Sequence, residues 1–170
     1  MMLRNKISSA ATAMHTRTSA PAIRRLACRH LQPGDRILLY GAGHGRNADW
    51  LRAEGYRVYA YDPYNGGIHN GWHGVSKRLP IIKFTVIITC YVLNVVNRET
   101  ESFIRRDCLR RRSPNGFIYH ITRGEGDMIK AAGDIERAVE GYATSRGYQR
   151  LVSPCGPVVF QNASYICWEE

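Results

Sequence analysis

Residues 36–51 read Arg36-Ile-Leu-Leu-Tyr-Gly-Ala-Gly-His-Gly-Arg-Asn-Ala-Asp-Trp-Leu51, and residues 56–62 read Tyr56-Arg-Val-Tyr-Ala-Tyr-Asp62. The apolar run from Ile37 to Tyr40 predicts a strand that is buried on both faces. Three glycines follow it directly, and glycines allow a tight turn whose backbone can approach a ligand closely. Asp62 ends a second strand about twenty residues later, where a carboxylate can accept hydrogen bonds from ribose hydroxyls. The pattern therefore predicts a site for a nucleoside-bearing cofactor.

The spacing of the glycines narrows the type of cofactor. Gly41, Gly43 and Gly45 form G-x-G-x-G, which departs from the dinucleotide pattern G-x-G-x-x-G, and the sequence contains no P-loop pattern. For the glycines alone, an ordinary strand-to-helix turn of an α/β domain is the alternative. With an acid after the next strand, the motif resembles motifs I and II of the class I S-adenosylmethionine (SAM) methyltransferases. The resemblance implies that the turn faces the methionine part of the cofactor and that Asp62 holds its ribose.

Turn and cap residues divide the chain into alternating strands and helices. The predicted helices are Pro21–Leu31, His44–Ala53, Glu99–Arg112 and a segment capped by Asp134 that runs to Ser145. The predicted strands are Ile37–Tyr40, Arg57–Tyr61, a run that starts at Phe84, Phe117–Thr122, Gln149–Ser153 and Val158–Trp168. We expect a turn at Ser113–Gly116 and loops at Pro63–Pro80 and Arg123–Asp127.

This alternation predicts an α/β fold with a Rossmann-like, doubly wound sheet of the class I methyltransferase type. The sheet is mostly parallel, and the last two strands form a C-terminal antiparallel hairpin because no helix separates them. We expect residues 21–170 to form the domain and residues 1–20 to be a basic, partly flexible arm. Ligands of such sheets bind beyond the carboxyl ends of the strands, where the strand order reverses. The predicted cofactor-binding residues are Tyr40, Gly41, Ala42, Gly43, Gly45, Asp62, Pro63, Cys90 and Tyr91.

Four segments resemble one branch of these proteins. They are His15-Thr-Arg-Thr-Ser-Ala-Pro21, Leu39-Tyr-Gly-Ala-Gly-His-Gly45, Tyr61-Asp-Pro-Tyr64 and Tyr91-Val-Leu-Asn-Val-Val96. Together they resemble the methyltransferases associated with DNA phosphorothioation, over most of residues 15–96. The resemblance implies SAM binding and methyl transfer, and it supplies no substrate. Leu39 departs from the usual methyltransferase pattern, in which an acid at this position helps to hold the amino group of the cofactor.

The charge of the chain indicates its class of partner. The net charge is +10, and the residues before Asp35 include no acid. Basicity of this size favours a polyanionic partner, most often nucleic acid. A second basic cluster consists of Arg105, Arg106, Arg110, Arg111 and Arg112. It is either a phosphate-binding site or a solvated helix face. The acid-free N-terminus is also similar to a mitochondrial transit peptide. The family resemblance includes residues 15–21 and so favours a cytoplasmic protein.

Cysteine and histidine patterns predict no metal site. The five cysteines lack C-x-x-C spacing, and the six histidines lack ligand spacing on a helix. We therefore expect free thiols in a reducing compartment. No apolar run approaches the ~20 residues that span a bilayer, so we expect no membrane partner.

Several side chains are candidates for contact with a methyl acceptor. The predicted substrate-binding residues are Arg17, Tyr64, Trp72 and Asn94. Two alternatives are open for the basic arm: His15 and Arg17 fold over the crevice, or the arm is disordered. Cys90 is either a nucleophile or a small buried thiol. Tyr91 either stacks on the cofactor or an acceptor base, or packs beneath the following helix. No catalytic residue is assigned, because the D-P-P-Y tetrad of amino-methyltransferases is absent after the strand that begins at Phe84.

These patterns predict a SAM-dependent methyltransferase that acts on DNA or RNA. Two alternatives stay open. The first is a non-catalytic protein that binds SAM or nucleic acid on a degenerate methyltransferase fold, and Leu39 motivates it. The second is a methyltransferase for a small molecule.

Overall fold

The computed structural model of the chain describes residues 19–67, 70–145 and 147–170. The helices are α1 (Pro21–His30), α2 (Arg46–Ala53), α3 (Arg98–Arg111), α4 (Glu125–Ala132) and α5 (Ile135–Glu140). The strands are β1 (Arg36–Tyr40), β2 (Arg57–Tyr61), β3 (Val75–Ser76), β4 (Phe84–Cys90), β5 (Arg112–Arg123), β6 (Tyr142–Thr144), β7 (Gly147–Gln149), β8 (Val158–Gln161) and β9 (Tyr165–Glu169). A 3-10 turn covers Leu93–Val95. The predicted contacts of His15 and Arg17 lie outside the described residues.

Within the described residues, one sheet has the strand order β3-β2-β1-β4-β5-β9-β8, and β6 pairs with β7 separately. β1 is parallel to β2 and β4, and β4 is parallel to β5. β9 is antiparallel to both β5 and β8. The register sets Tyr40 beside Tyr61 and Thr89, so β1, β2 and β4 end at one edge of the sheet. This architecture confirms the predicted Rossmann-like, mostly parallel sheet with an antiparallel C-terminal hairpin.

β1 is the buried centre of the fold, as its apolar sequence predicts. Ile37 and Leu38 are fully buried and Leu39 is 1% exposed. Ile37 and Leu39 pack with the apolar residues of α1 and α2, whereas Leu38 packs on the other face with residues of α3. Asn97 caps α3 as predicted, because its side chain accepts a hydrogen bond from Thr100 N at 2.9 Å. Among the described helices, none is both long and apolar enough to cross a membrane.

The C-terminal hairpin lies elsewhere than predicted. Both of its strands, β8 and β9, come from the single predicted strand Val158–Trp168, and Asn162 makes the turn between them. The Asn162 side chain accepts hydrogen bonds from Ser164 N and Tyr165 N, each at 2.9 Å, which is a local turn that competes with a continuous strand. Of the predicted strand Gln149–Ser153, only Gln149 is in a strand.

Four further boundaries differ from the predictions. The predicted loop Arg123–Asp127 contains the start of α4. This helix forms because it buries Met128 and Ala132. The helix predicted to reach Ser145 ends at Glu140, because Gly141 has a φ of +100° and the chain then turns into β6. The predicted turn Ser113–Gly116 is an irregularity inside β5, where the register with β4 shifts between Phe84 and Val86. α2 also begins two residues later than predicted, at Arg46.

Candidate cofactor site at the glycine turn

The glycine turn lies at the edge of the sheet where the strand order reverses, between β1 and β4. Gly41, Gly43 and Gly45 have φ values of +73°, +58° and +90°, in the region that L-residues rarely adopt. Gly41 N and Ala42 N both donate to Tyr61 O, at 2.8 and 2.9 Å. The turn is therefore folded against the end of β2, as a ligand site beyond the carboxyl ends of the strands requires.

Two valines fix the turn from either side. A Cβ at Gly41 would lie 2.5 Å from Cγ2 of Val92, and a Cβ at Gly45 would lie 2.8 Å from Cγ2 of Val75. Real Cβ atoms do not approach other atoms so closely, and a larger residue would displace the segments that carry these valines. Glycine is thus required here both by backbone conformation and by protein packing.

Asp62 links the glycine turn to the turn that follows β2. Its side chain is buried, with 3% of the residue exposed. Its Oδ2 accepts from Gly43 N at 2.9 Å, while its Oδ1 accepts from Tyr64 N at 2.9 Å and from Asn65 N at 2.8 Å. The Asn65 side-chain amide donates to the same Oδ1 at 3.2 Å. Oδ1 thus has three donors and Oδ2 has one. Since each carboxylate oxygen has about two lone-pair positions, Oδ2 is the atom that can accept a hydrogen bond from a ribose hydroxyl.

Arg46 contributes a positive charge that the predicted site residues did not include. It is the first residue of α2, where the helix dipole also favours anions. Burial raises the pKa of the Cys90 thiol and of the Tyr91 phenol, and the charge of Arg46 partly opposes this for both groups. Arg46 therefore acts on the same crevice as Cys90 and Tyr91. The signal in the sequence was its position directly after the last glycine of the turn.

The first turn of α2 also holds the start of the described chain. Asn47 Oδ1 accepts from Ala20 N at 2.8 Å, in a buried contact across 27 residues of sequence. Asn47 itself is 8% exposed. A buried asparagine is the second residue that the sequence patterns did not identify, because an asparagine in a helix carries no motif of its own.

Tyr91 has a strained backbone at the end of β4. Its φ is +59°, and it is the one non-glycine residue with positive φ in the described part of the chain. This conformation costs about 1–2 kcal/mol in an L-residue, and such strain concentrates at functional sites. Tyr91 N donates to Ile121 O at 2.8 Å, which holds the conformation. The Tyr91 side chain packs on the α1–α2 face of the sheet, so the alternative that it lies beneath α3 is wrong.

Cys90 and Leu39 do not contribute charge to the crevice. Burial raises the pKa of Cys90 to about 12, so the thiol is protonated at neutral pH. This favours the small buried thiol over the nucleophile, since the thiolate is the reactive form. Leu39 lies in the apolar core with residues of α1 and α2. An acid at this position would be surrounded by apolar side chains, which explains why leucine stands there.

Other predicted site residues are not brought to the crevice by their side chains. The ring of Tyr40 packs on the α3 face, 4.9 Å from the ring of Tyr61, and its phenol faces Asp107 of α3. Trp72 packs against Tyr59 and Phe84, and Phe84 begins β4 at the end of the sheet opposite the glycine turn. Trp72 therefore does not line an acceptor pocket there.

Asn94, Pro63 and Tyr64 are placed by their neighbours. Asn94 is 2% exposed, and its amide donates to Gln149 Oε1 at 3.0 Å. This hydrogen bond connects the segment between β4 and α3 to β7. Pro63 is exposed in the turn after β2, and Tyr64 is half-buried beside it. These two residues lie next to Asp62 at the predicted cofactor edge. Among the described residues, no group of three or more His, Cys, Asp or Glu side chains is arranged to bind a metal.

A buried hydrogen-bonded chain supports the end of β4 from the α3 face. Thr89 Oγ1 lies 2.8 Å from Nδ1 of His120, whose Nε2 lies 2.6 Å from Oε2 of Glu170. Because an ionised carboxylate accepts only, Nε2 carries the proton and Thr89 donates to Nδ1. Burial lowers the pKa of His120, and the nearby Glu170 opposes this effect, while Arg105 adds to it. His120 is therefore neutral near pH 7 and positions Thr89, the residue before Cys90.

Comparisons with known proteins agree with this geometry at the level of fold. The sequence matches no protein-family model, and no curated protein is significantly similar to it in sequence. The glycopeptide N-methyltransferase MtfA complexed with sinefungin superposes with a TM-score of 0.60 and 11% identity, over 89% of this chain and 97% of that one. The DhpI-SAM-HEP complex gives a TM-score of 0.56 and 15% identity, over 99% and 93% of the two chains.

A third solved structure is larger than this chain. The CcbJ methyltransferase from Streptomyces caelestis gives a TM-score of 0.50 and 15% identity over 74% of this chain, which spans 59% of the CcbJ chain. Superpositions at identities of this size establish a shared fold, and the substrate of one protein does not follow from that of another. The chain has the Rossmann-like fold of the SAM-dependent methyltransferases.

Proposed function

We propose that this protein is a SAM-dependent methyltransferase and that its acceptor is a nucleic acid. The observation that carries the proposal is the hydrogen bond from Gly43 N to Asp62 Oδ2, which joins the glycine turn to the acid after β2 at the reversal of strand order. In an open α/β sheet this is where a nucleotide-like ligand binds.

The residues of the crevice suit the chemical groups of SAM. Arg46 and the first turn of α2 provide positive charge for the methionine carboxylate. Asp62 Oδ2, which accepts from Gly43 N, provides a further acceptor position for a ribose hydroxyl. The phenol ring of Tyr91 offers an aromatic face for a base or for the methylated end of the cofactor.

When bound, SAM supplies a methyl group on a sulfonium, which is displaced in line by the acceptor. The residues of this chain then have two tasks, to hold donor and acceptor in line and to exclude water. Tyr91 is suited to the second task, because it is half-buried and its backbone is fixed by Ile121. No side chain of the described crevice is assigned as a base, and Cys90 is protonated.

The net charge of +10 supports nucleic acid as the acceptor. A small-molecule acceptor is the second candidate, because MtfA is a glycopeptide N-methyltransferase and superposes along most of this chain. A non-catalytic binder is the third. The apolar environment of Leu39, at the position where the usual methyltransferase pattern has an acid, favours that candidate.

Calorimetric titration with SAM, followed by transfer of labelled methyl groups, distinguishes these candidates. We expect SAM to bind the wild-type protein, Asp62→Ala to bind it at least tenfold more weakly, and Glu54→Ala, exposed at the C-terminal end of α2, to bind it normally. Transfer is then measured to DNA, to tRNA and to a glycopeptide.

Transfer to DNA or tRNA supports the proposed acceptor, and transfer to the glycopeptide alone supports the second candidate. SAM binding without transfer to any of the three supports the third. An absence of SAM binding, with Asp62→Ala equal to wild type, refutes the cofactor assignment.

A further inference from the structure

A cleft of about 620 Å³ opens on the α3 side of the sheet. Its walls are α3, Val139 of α5, the end of β9 and the segment 150–155. It lies on the opposite face of the sheet from α1 and α2 and uses no residue of the glycine turn. Four arginines and two glutamates line it, Arg98, Arg105, Arg106, Arg150, Glu101 and Glu170.

Both glutamates of the cleft are neutralised by other residues of the protein. Glu101 pairs with Arg105 at 3.2 Å and also with Arg150. Glu170 accepts from Arg105, with 3.0 Å between Arg105 Nη2 and Glu170 Oε1, and from His120. These bonds hold the pKa of Glu170 below its usual value, although burial opposes them. Both acids are therefore occupied by groups of the protein, and two of the four arginines have no carboxylate partner within the described residues.

These two arginines are Arg98 and Arg106. Both side chains are exposed, and in the described part of the chain neither pairs with a carboxylate. They are eight residues apart on α3, which corresponds to roughly 12 Å along the helix axis. A guanidinium binds a phosphate group through two parallel hydrogen bonds. Arg98 and Arg106 are therefore positioned to contact two separate phosphates of one chain.

The buried Arg150 lines the cleft together with Arg98. Its side chain is 5% exposed and its pKa is lowered to about 10, mainly by burial and further by the charge of Arg98. Glu101 supplies the counter-charge of Arg150 within the protein. Arg150 also joins the cleft to the crevice, because its Nε donates to Val96 O at 2.9 Å and Val96 belongs to the segment that leaves β4.

The remaining arginines of this region are used within the protein. Arg111 pairs with Asp107 at 3.0 Å and donates to Pro80 O at 2.9 Å. Arg112 donates to Glu170 O at 3.4 Å. Of the basic cluster seen in the sequence, only Arg106 and Arg110 thus keep a side chain with no bond to the rest of the described chain, and Arg110 does not line the cleft.

We propose that this cleft binds the phosphodiester backbone of the nucleic acid whose base enters the glycine-turn crevice, with Arg98 and Arg106 as the phosphate contacts. The assignment rests on the proposed function, since it names the site that holds its acceptor. A chain of phosphates fits better than one free phosphate, because Arg98 and Arg106 begin roughly 12 Å apart along α3 and successive phosphates can meet both residues.

The salt dependence of binding gives the expected magnitude. Each phosphate contact to a single strand contributes about 0.7 to the slope of log K against log salt. Loss of both contacts should lower that slope by about 1.4. Taken over the tenfold range from 1 M to 0.1 M salt, this slope means that the affinity for the strand at 0.1 M falls about 5-fold for each lost contact, or about 25-fold for both.

The test compares two double variants of equal charge. In Arg98→Gln/Arg106→Gln the cleft loses both contacts, and in the control Arg24→Gln/Arg110→Gln two exposed arginines outside the cleft are replaced. Binding of a fluorescent 12-nucleotide single strand is measured from 0.05 to 0.3 M salt, with a mononucleotide and pyrophosphate as competitors. Urea unfolding and SAM titration of each variant verify that the fold and the cofactor site are intact.

We expect the cleft variant to bind the strand about 25-fold more weakly with a flatter salt slope, and the control to stay within threefold of wild type. Equal losses in both variants, or no loss in either, would overturn the cleft assignment and leave the methyltransferase proposal standing. A mononucleotide that binds as tightly as the strand would overturn the backbone assignment. A wild-type protein that binds SAM but no strand would overturn both the cleft and the nucleic-acid acceptor, and would retain the cofactor.

Discussion

Replacing Asp62 with alanine tests whether this carboxylate builds the cofactor edge. The buried side chain accepts hydrogen bonds from three backbone groups, Gly43 N, Tyr64 N and Asn65 N, at 2.8 to 2.9 Å. Alanine leaves all three N–H groups without their acceptor. The glycine turn and the turn after β2 then lose the one side chain that bonds to both.

The structure sets the magnitude of the effect. A hydrogen bond to a charged group contributes about 1.5–3 kcal/mol when its partner stays buried. Gly43, Tyr64 and Asn65 are half-buried, so water can replace part of each bond. About 1 kcal/mol for each group gives a total near 3 kcal/mol. In a chain of this length that corresponds to a melting temperature lower by roughly 6–12 °C.

Urea unfolding followed by circular dichroism measures this difference, and Asp49→Ala is the matched control. Asp49 is the same residue type on α2, but its side chain is 68% exposed and pairs only with Arg52 in a surface contact. Exposed pairs contribute little, so we expect the control to lie within about 0.5 kcal/mol of wild type. An Asp62→Ala protein as stable as the control would refute the assignment of Asp62 as the connection between the two turns.

Three further predictions follow from the same edge of the sheet. Gly41→Ala should lower the free energy of unfolding by about 2–4 kcal/mol, from both its φ and the contact with Val92, whereas Gly34→Ala, with a φ of +94° but no atom within 4 Å, should cost about 1 kcal/mol. Urea unfolding compares them, and equal costs would exclude the contact with Val92. Tyr91→Gly should be about 1 kcal/mol more stable than Tyr91→Ala, because both lose the ring and only alanine keeps the strain. The opposite order would show that the conformation carries no strain. Stability should fall as the pH drops below 6.5, the ordinary value for histidine, because the lowered pKa of His120 means that the unfolded chain takes up the proton first. His120→Gln should flatten this part of the pH profile, and an unchanged profile would assign it to other groups.

The sequence patterns predicted the part of the fold that local chemistry controls. β1, the glycine turn and β2 were predicted because apolar runs, positive-φ glycines and a following acid are all visible within 27 residues, from Arg36 to Asp62. The cap of α3 by Asn97 was also predicted, since a cap depends on the next three residues. The position of the cofactor edge followed from these elements and from the rule for parallel sheets.

The C-terminal third depends on contacts that are distant in sequence. α4 follows a glycine-rich polar run, and it forms because Met128 and Ala132 bury their side chains against Ala138 and Tyr142. The turn at Asn162 divides an apolar stretch that a periodic pattern treats as one strand. In both cases the energy comes from packing and from side-chain bonds that a hydropathy pattern does not record.

The same limit explains the basic cluster. Arg105 and Arg106 are adjacent in the sequence and look equivalent. Arg105 pairs with two carboxylates of the protein, whereas Arg106 is exposed. Helix geometry separates neighbours by 100°, so one can face the acids of the protein while the next faces solvent. A count of arginines therefore overestimates the charge that a ligand meets.

The segment that leaves β4 is the physical connection between the crevice and the cleft. Tyr91 holds its strained conformation at one end, and Val92 lies so close to Gly41 that a Cβ at Gly41 would clash with it. At the other end Val96 O accepts the Nε–H of the buried Arg150, which lines the cleft. An anion bound there acts on Arg150 directly and on Val96 through a single hydrogen bond. The segment 92–96 thus connects the cleft to the glycine turn, so we expect a nucleic acid in the cleft to change the affinity for SAM, and by linkage SAM to change the affinity for the nucleic acid by the same factor. Titration of SAM with and without the 12-nucleotide strand measures this coupling, and equal SAM affinities would contradict it.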